Sequence, residues 1–209
     1  GVSSPGLAAR DGRTIVWMMG RMSGVMGFDW SAHLKRPVSV MNDAHAALLG
    51  EAWIGAARGA ENVVLLTLGT GVGGAVMCDG RILKGHLGRA GHLGHITLDP
   101  DGPLDIVNTP GSLEDAFGDH TIAKRTDGKF ASTADLVRAA RDGDALARDV
   151  WQRSIRALAA GVTSIINAVD PEVIVLGGGV AKAGDDLLIP LQRELDRVEW
   201  RPTGTKVRL

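Results

Sequence analysis

Three stretches of the 209-residue chain combine residue types and spacing suited to chemistry. The first is Asn42-Asp43, in "VMNDAHAALLGEA" (40–52), where an apolar run through Val38, Val40 and Met41 meets a helix expected from Ala44 onward. A carboxylate at such a seam has two uses. It can cap the helix, because Asp and Asn are preferred just before a first turn. It can also act as a general base, because open α/β sheets place their chemistry at the C-terminal ends of strands. These residues alone leave both uses open. The second stretch is "TLGTGVGG" (67–74), in which Gly69, Gly71, Gly73 and Gly74 let backbone N–H groups converge on an anion and Thr70 adds a hydroxyl. No Gly-Lys-Ser/Thr follows, so this is not the Walker loop. The third is "VLGGGVAKAG" (175–184), with Gly177 to Gly179 where a strand hands over to a helix and backbone can approach a ligand. Each glycine loop is also compatible with a plain tight turn. Two of them downstream of a strand-end Asp are more specific than either alone.

The elements that must position these residues follow from periodicity. "ENVVLLTLGTGVGGAVMCDGRIL" (61–83) reads as two β-rich apolar runs flanking the second loop, with Asp79-Gly80 as a hairpin turn. "GHLGRAGHLG" (85–94) is too glycine-rich for a regular helix or paired strand, and 99–112 is loop by composition. Helices are expected over Thr133–Ala140 and Asp144–Val169. In the second, Leu146, Val150, Ile155, Leu158, Val162, Ile165 and Val169 recur at helical spacing, and Asp170-Pro171 stops it. "EVIVLGGGVAKAGDDLL" is then strand, glycine turn and helix, and the alternation as a whole predicts an α/β domain.

Composition excludes several classes. A net charge of −1 implies no basic face for nucleic acid and no polybasic membrane patch. The single cysteine, Cys78, rules out an internal disulfide framework and fits a reducing cytoplasm; it is expected to be a small core residue of an apolar strand. No apolar stretch approaches the roughly 18 residues of a membrane span, and no signal peptide is visible. The chain begins at Gly1 in a phrase that reads as mid-domain, so a piece of a longer protein is expected.

In order, "NDAHAALLGE", "TLGTGVGGAVMCDGRILKG", "GRAGHLGH", "PGSLE" and "DPEVIVLGGGV" resemble the motifs of the ROK family of sugar kinases and sugar-responsive repressors. The resemblance covers nearly the whole chain. It implies the actin-like, ribonuclease-H-like α/β fold, two domains closing over a sugar and ATP. Residues 1–43 would be a remnant of the N-terminal domain and 44–209 the C-terminal domain with the sugar and nucleotide loops. It implies Asp43 as the base that takes the proton of the attacking sugar hydroxyl and Asn42 as a sugar ligand. Gly69, Thr70 and Gly71 become the phosphate loop, and Gly178 and Gly179 the adenosine-side turn. ATP and Mg²⁺ are the implied cofactors, a hexose the substrate, and a homodimer the expected state of the full-length protein. The carboxylate at residue 43 then reads chiefly as a base, although one residue can serve both uses.

The chain departs from the family at the sugar-binding stretch. The family's Gly-Glu-x-Gly-His reads "GHLGH" (91–95) here, so His92 stands at the place of a sugar-contacting Glu while His95 keeps the family's His. Three cysteines that join that His on a structural zinc are replaced by Asp105, Val107 and Ser112. Glu114, implied to bind sugar hydroxyls, is kept. A thiolate-rich zinc site needs those sulfurs, so no structural zinc is expected. A replacement site from His92, His95 and Asp105 is the alternative, and Pro103, Pro110 and local packing are expected to hold the 99–112 loop. His86 and His120 read as solvent-facing, His45 as near the sugar or covering helix surface, and the Trp and Met residues as core and interface filling. The family's opening Asp-x-Gly-Gly-Thr hairpin does not occur in the chain, and the last family segment stops short. The leading reading is a glucokinase-like hexose kinase. The alternative is the sugar-sensing domain of a ROK-type repressor without kinase activity.

Overall fold

A strand of six consecutive apolar-rich residues, "VVLLTL", runs through the middle of the molecule and sends successive side chains to opposite faces of a sheet. The computed structural model describes residues 1–20, 22 and 24–209. In chain order its elements are β1 (Val2–Ser4), β2 (Leu7–Ala8), β3 (Ile15–Trp17), α1 (Trp30–Leu34), β4 (Val40–Asn42), α2 (Asp43–Ile54), β5 (Val63–Leu68), β6 (Val72–Cys78), β7 (Arg81–Ile82), α3 (Leu113–Phe117), α4 (Ile122–Arg125), α5 (Thr133–Arg141), α6 (Ala145–Val169), β8 (Val173–Gly177) and α7 (Asp185–Val198).

The main sheet has the order β7-β6-β5-β8. The pair β5–β8 is parallel, and β5–β6 and β6–β7 are antiparallel. On one face Val64, Leu66, Leu68, Val72, Val76 and Ile174 pack against α3 to α7. On the other, Val63, Leu65, Ala75, Met77, Val173 and Val175 pack against Ala44 and Leu48 of α2. This is a three-layer α/β arrangement, with each fully buried Leu or Ile contributing roughly 1.5–3 kcal/mol. Helix α6 is capped by Asp144, whose side chain accepts from Ala147 N at 2.9 Å, and ends on Asp170 in the left-handed region at φ 46°. Val150, Ile155, Leu158, Val162 and Ile165 are buried as their spacing predicts; Leu146 is not, because it lies in the first turn, beyond the reach of the sheet.

Residues at the start of the chain pair with the strand that leads into the site. β1 lies parallel to β4, with Val2 opposite Val40 and Ser4 opposite Asn42, and β2 pairs antiparallel with β3. Trp151 and Met77 are core residues, whereas Trp53, Trp200, Met19, Met22 and Met26 are exposed, so the expected core role holds for few of them. Cys78 is half-buried at the end of β6 and packs against the core. Among the described residues, no helix is long and apolar enough to cross a membrane.

Candidate active site

The strand-to-helix seam separates the two roles left open for its carboxylate. Asn42 is the N-cap of α2: its Oδ1 accepts from Ala44 N (2.9 Å) and His45 N (3.2 Å), and its Nδ2 donates to the Gly6 carbonyl at 3.0 Å. Asn42 is 4% exposed. Asp43 is the first residue of the helix proper, is exposed, and accepts only from Ala44 N, at 2.9 Å, among the described residues. A capping residue thus stands directly before the carboxylate and relieves it of that duty.

Asp43 opens onto a cleft of about 590 Å³ that brings together Asn42, Gly69, Thr70, Gly71, His92, His95, Glu114 and Gly178. Of the expected site residues, only Gly179 lies outside it. Gly179 lines a second cleft of about 500 Å³, with Thr133, Val137, Arg138, Val180 and Lys182. Gly69 and Thr70 line both. The glycine loop is therefore the partition between one cleft with a carboxylate and another at the β8 turn.

That loop is shaped from behind. The carbonyls of Gly69 and Thr70 accept from the backbone N–H groups of Asp119 (3.0 Å) and His120 (2.9 Å), and the Gly71 carbonyl accepts from Gly69 N (3.0 Å). His120 Nδ1 donates a second bond to the Thr70 carbonyl at 2.8 Å, and its Nε2 lies 3.2 Å from Asp115. The N–H groups of Thr70 and Gly71 meet no protein acceptor among the described residues, which leaves donors for an anion. Glu114 reaches in from α3, where its Oε2 accepts from Val72 N at 2.9 Å, and a Cβ on Gly71 would strike that carboxylate. Gly178 sits at φ 91° with no room for a Cβ beside the Leu68 carbonyl, so only glycine fits where β8 meets the loop.

His120 and Arg125 were not legible as site residues. His120 is exposed, as expected of a loop histidine, yet it braces the glycine loop. Arg125 donates to the Ala116 and Gly118 carbonyls at 2.9 Å and the Phe117 carbonyl at 3.2 Å, closing the C-terminal end of α3. Burial pulls its pKa down to about 10. Neither His120 nor Arg125 belongs to a motif, so spacing carries no signal of these contacts.

The histidines divide by environment. His45 is 4% exposed, with Nε2 donating to the Ala90 carbonyl at 3.3 Å, so it neither touches solvent nor covers helix surface. Burial pushes its pKa down, and burial does the same for His92, aided by the nearby His45 and His95 rings. The Nε2 of His92 is buried without a hydrogen-bond partner among the described residues. His95 Nδ1 donates to Asp105 Oδ2 at 2.8 Å.

Of the three positions that correspond by resemblance to zinc-binding cysteines, Asp105 meets His95, and Ser112 meets Asp105. They offer poor donors. Val107 has no ligand atom, Ser112 Oγ accepts from Asp115 N at 3.2 Å, and Asp105 is saturated by His95 and two backbone N–H groups. Among the described residues no three His, Cys, Asp or Glu side chains form a group able to hold a metal, and the set His92, His95 and Asp105 is no exception. The 99–112 loop is held by hydrogen bonds: Asp105 N to the Thr109 carbonyl (2.9 Å), Gly111 N to the Pro103 carbonyl (2.8 Å) and Leu98 N to the Gly111 carbonyl (2.9 Å).

A family model described as "ROK family" matches residues 1–207. The chain belongs to the ROK family. A glucokinase of Halalkalibacterium halodurans is 42% identical over 181 residues, covering 78% of this chain and 54% of that protein. The chain spans about half the length of the curated relatives it matches. The crystal structure of a ROK family glucokinase from Streptomyces griseus in complex with glucose and AMPPNP aligns with a TM-score of 0.81 at 26% identity, covering 100% of this chain and 74% of that one. A ROK family transcriptional regulator, a homolog of the E. coli MLC protein, aligns with a TM-score of 0.79 at 29% identity over 95% of this chain and 54% of its own. The α/β, actin-like fold expected of a ROK protein is the fold observed.

Proposed function

We propose that the protein phosphorylates a hexose at the expense of ATP, in the manner of a glucokinase, with Asp43 as general base. The observation that carries this reading is the shared wall: the Asp43 carboxylate and the sugar-side residues lie on one side of Gly69-Thr70, and Gly179 with the turn that follows it lies on the other. Phosphoryl transfer asks a protein for little covalent chemistry and much positioning, which is what such a partition provides. Asn42, His92, His95 and Glu114 hold the sugar against Asp43. Asp43 accepts the proton of the attacking hydroxyl as that oxygen bonds to the γ-phosphorus and the bond from phosphorus to the bridging oxygen breaks, releasing ADP. The free N–H groups of Thr70 and Gly71 receive the phosphate oxygens, Gly179 borders the adenosine side, and Gly178 stands at the junction of the two clefts. Mg²⁺, when bound with ATP, neutralises charge on the phosphates. Zinc has no part in the reading, since the donor set does not fit it.

Residues 1–43 are read as part of an N-terminal domain whose Pro5 and Gly6 supply the near edge of the cleft, and 44–209 as the C-terminal domain. A homodimer, a cytoplasmic location and the absence of nucleic-acid binding by this chain belong to the same proposal. A ROK-type sugar sensor is the rival reading, supported by the likeness to the regulator. A sensor needs neither a base relieved of capping nor phosphate donors, and this protein has both. The test is ADP release by the full-length protein on a panel of hexoses with MgATP, run beside calorimetric titration of the same sugars. Phosphorylation of glucose or a close epimer is expected. Tight sugar binding with no ADP release would decide for the sensor.

A further inference from the structure

The Asp105 side chain is fully buried, and both of its oxygens are occupied. Oδ1 accepts from Val107 N (2.9 Å) and Thr109 N (2.8 Å), and Oδ2 accepts from His95 Nδ1 (2.8 Å). Burial alone would raise its pKa. The bonds from Thr109, His95, Val107 and Ser112 outweigh that and hold the carboxyl below its ordinary value, so the group is an anion that can only accept. Such a partner on Nδ1 requires the imidazole proton to be there. The neutral ring then carries its lone pair on Nε2, which makes no hydrogen bond among the described residues. His95 lines the cleft with Asn42, Asp43 and Glu114.

We infer that Asp105 is a positioning residue that locks His95 in its Nδ1–H tautomer, so that His95 meets the sugar through Nε2 as a hydrogen-bond acceptor. This rests on the hexose-binding reading and refines it. Glu114 and Asp43 are also acceptors, so this face of the site selects a ligand by the protons it offers. A free hydroxyl can donate to Nε2. A fluorine at the same ring position accepts only weakly and donates nothing, and it leaves the lone pair facing a second electron-rich atom.

The experiment has two arms. Two-bond ¹⁵N–¹H correlation of the His95 ring above pH 8 reports the tautomer directly and needs neither sugar nor turnover. Wild-type protein should show the proton on Nδ1. In Asp105→Asn the amide oxygen can keep the two backbone bonds while its NH₂ faces Nδ1, so the proton should move to Nε2. In the second arm, calorimetric affinities are measured for glucose and a series of monodeoxyfluoro-glucoses. One fluoro-sugar should bind wild type about fivefold or more weakly than glucose, the loss of roughly one hydrogen bond, and that penalty should shrink in Asp105→Asn. A wild-type proton on Nε2, or an unchanged tautomer in a folded Asp105→Asn, overturns the inference. If that variant does not fold, the wild-type spectrum still decides the tautomer. Identical fluoro-sugar penalties in both proteins overturn the acceptor role. If no hexose binds wild type, the hexose reading falls by itself, and the acceptor role falls with it, while the spectrum separately decides the tautomer.

Discussion

Replacing Asp43 by Asn separates chemistry from folding at the seam between β4 and α2. In the structure the Asp43 side chain is exposed and its one protein bond among the described residues is from Ala44 N, which an Asn Oδ1 retains. The change in folding stability should stay within about 0.5 kcal/mol, the scale of surface substitutions, or about 1–2 °C in Tm for a chain of this size. Turnover should respond very differently. A positioned general base contributes about 10²–10⁴-fold, so kcat for hexose phosphorylation in the full-length protein should fall by at least about 100-fold, or about 2.7 kcal/mol or more of barrier. Sugar affinity should change far less. The neighbouring variant, unlike Asp43→Asn, carries a large folding cost. Asn42→Ala removes a buried cap serving two N–H groups and the bond to Gly6, a loss of about 2 kcal/mol and roughly 4–8 °C in Tm. The assays are coupled ADP release for kcat and KM and thermal unfolding for Tm, on both variants. Near-normal kcat in Asp43→Asn would remove Asp43 as the base. A large Tm loss there would show that the carboxylate is needed structurally after all.

Three other outcomes follow from the same geometry. His120→Ala should lower kcat/KM for ATP by about fivefold, the worth of one bond to the Thr70 carbonyl, while sugar affinity measured by titration holds; equal effects on both ligands would refute a bracing role specific to the loop. Because burial depresses His45 and His92, the unfolded chain takes up protons near pH 6.5 before the native histidines do, so stability should be full above that pH and decline as pH falls from about 6.5 toward 5. Asp105 and the other depressed carboxylates titrate lower still, so urea unfolding across this window isolates the histidines; a flat profile, or one unaltered in His45→Gln with His92→Gln, would contradict it. His92→Glu should lower the glucose KM, by about 1–3 kcal/mol if one charge-assisted bond is restored, and narrow the accepted hexoses; an identical sugar panel would remove His92 from the sugar's surroundings.

The local elements were legible because their signals are local. The uninterrupted apolar run "VVLLTL" marks β5 as a strand buried on both faces, the 3.6-residue recurrence sets α6, and Asp79-Gly80 at φ 48° and 71° makes the hairpin its residue types predict. The order of motifs was enough for family and fold. The seam at residues 42–43 was half legible: both residues read as capable of capping, and backbone geometry assigned the cap to Asn42, whose Oδ1 reaches the N–H groups of residues 44 and 45. Long-range contacts lay beyond the sequence. His120 against Thr70 spans 50 positions and Glu114 against Val72 spans 42. No period links either pair, and a motif does not name its partner, because a side chain's partner across the fold is set by how the layers pack. The same holds for Asp105, which in sequence is a replaced cysteine and a candidate metal ligand beside His92 and His95. Its burial beside His95 and two converging backbone N–H groups make it the anchor of that loop, and only the folded chain brings those donors to one carboxylate.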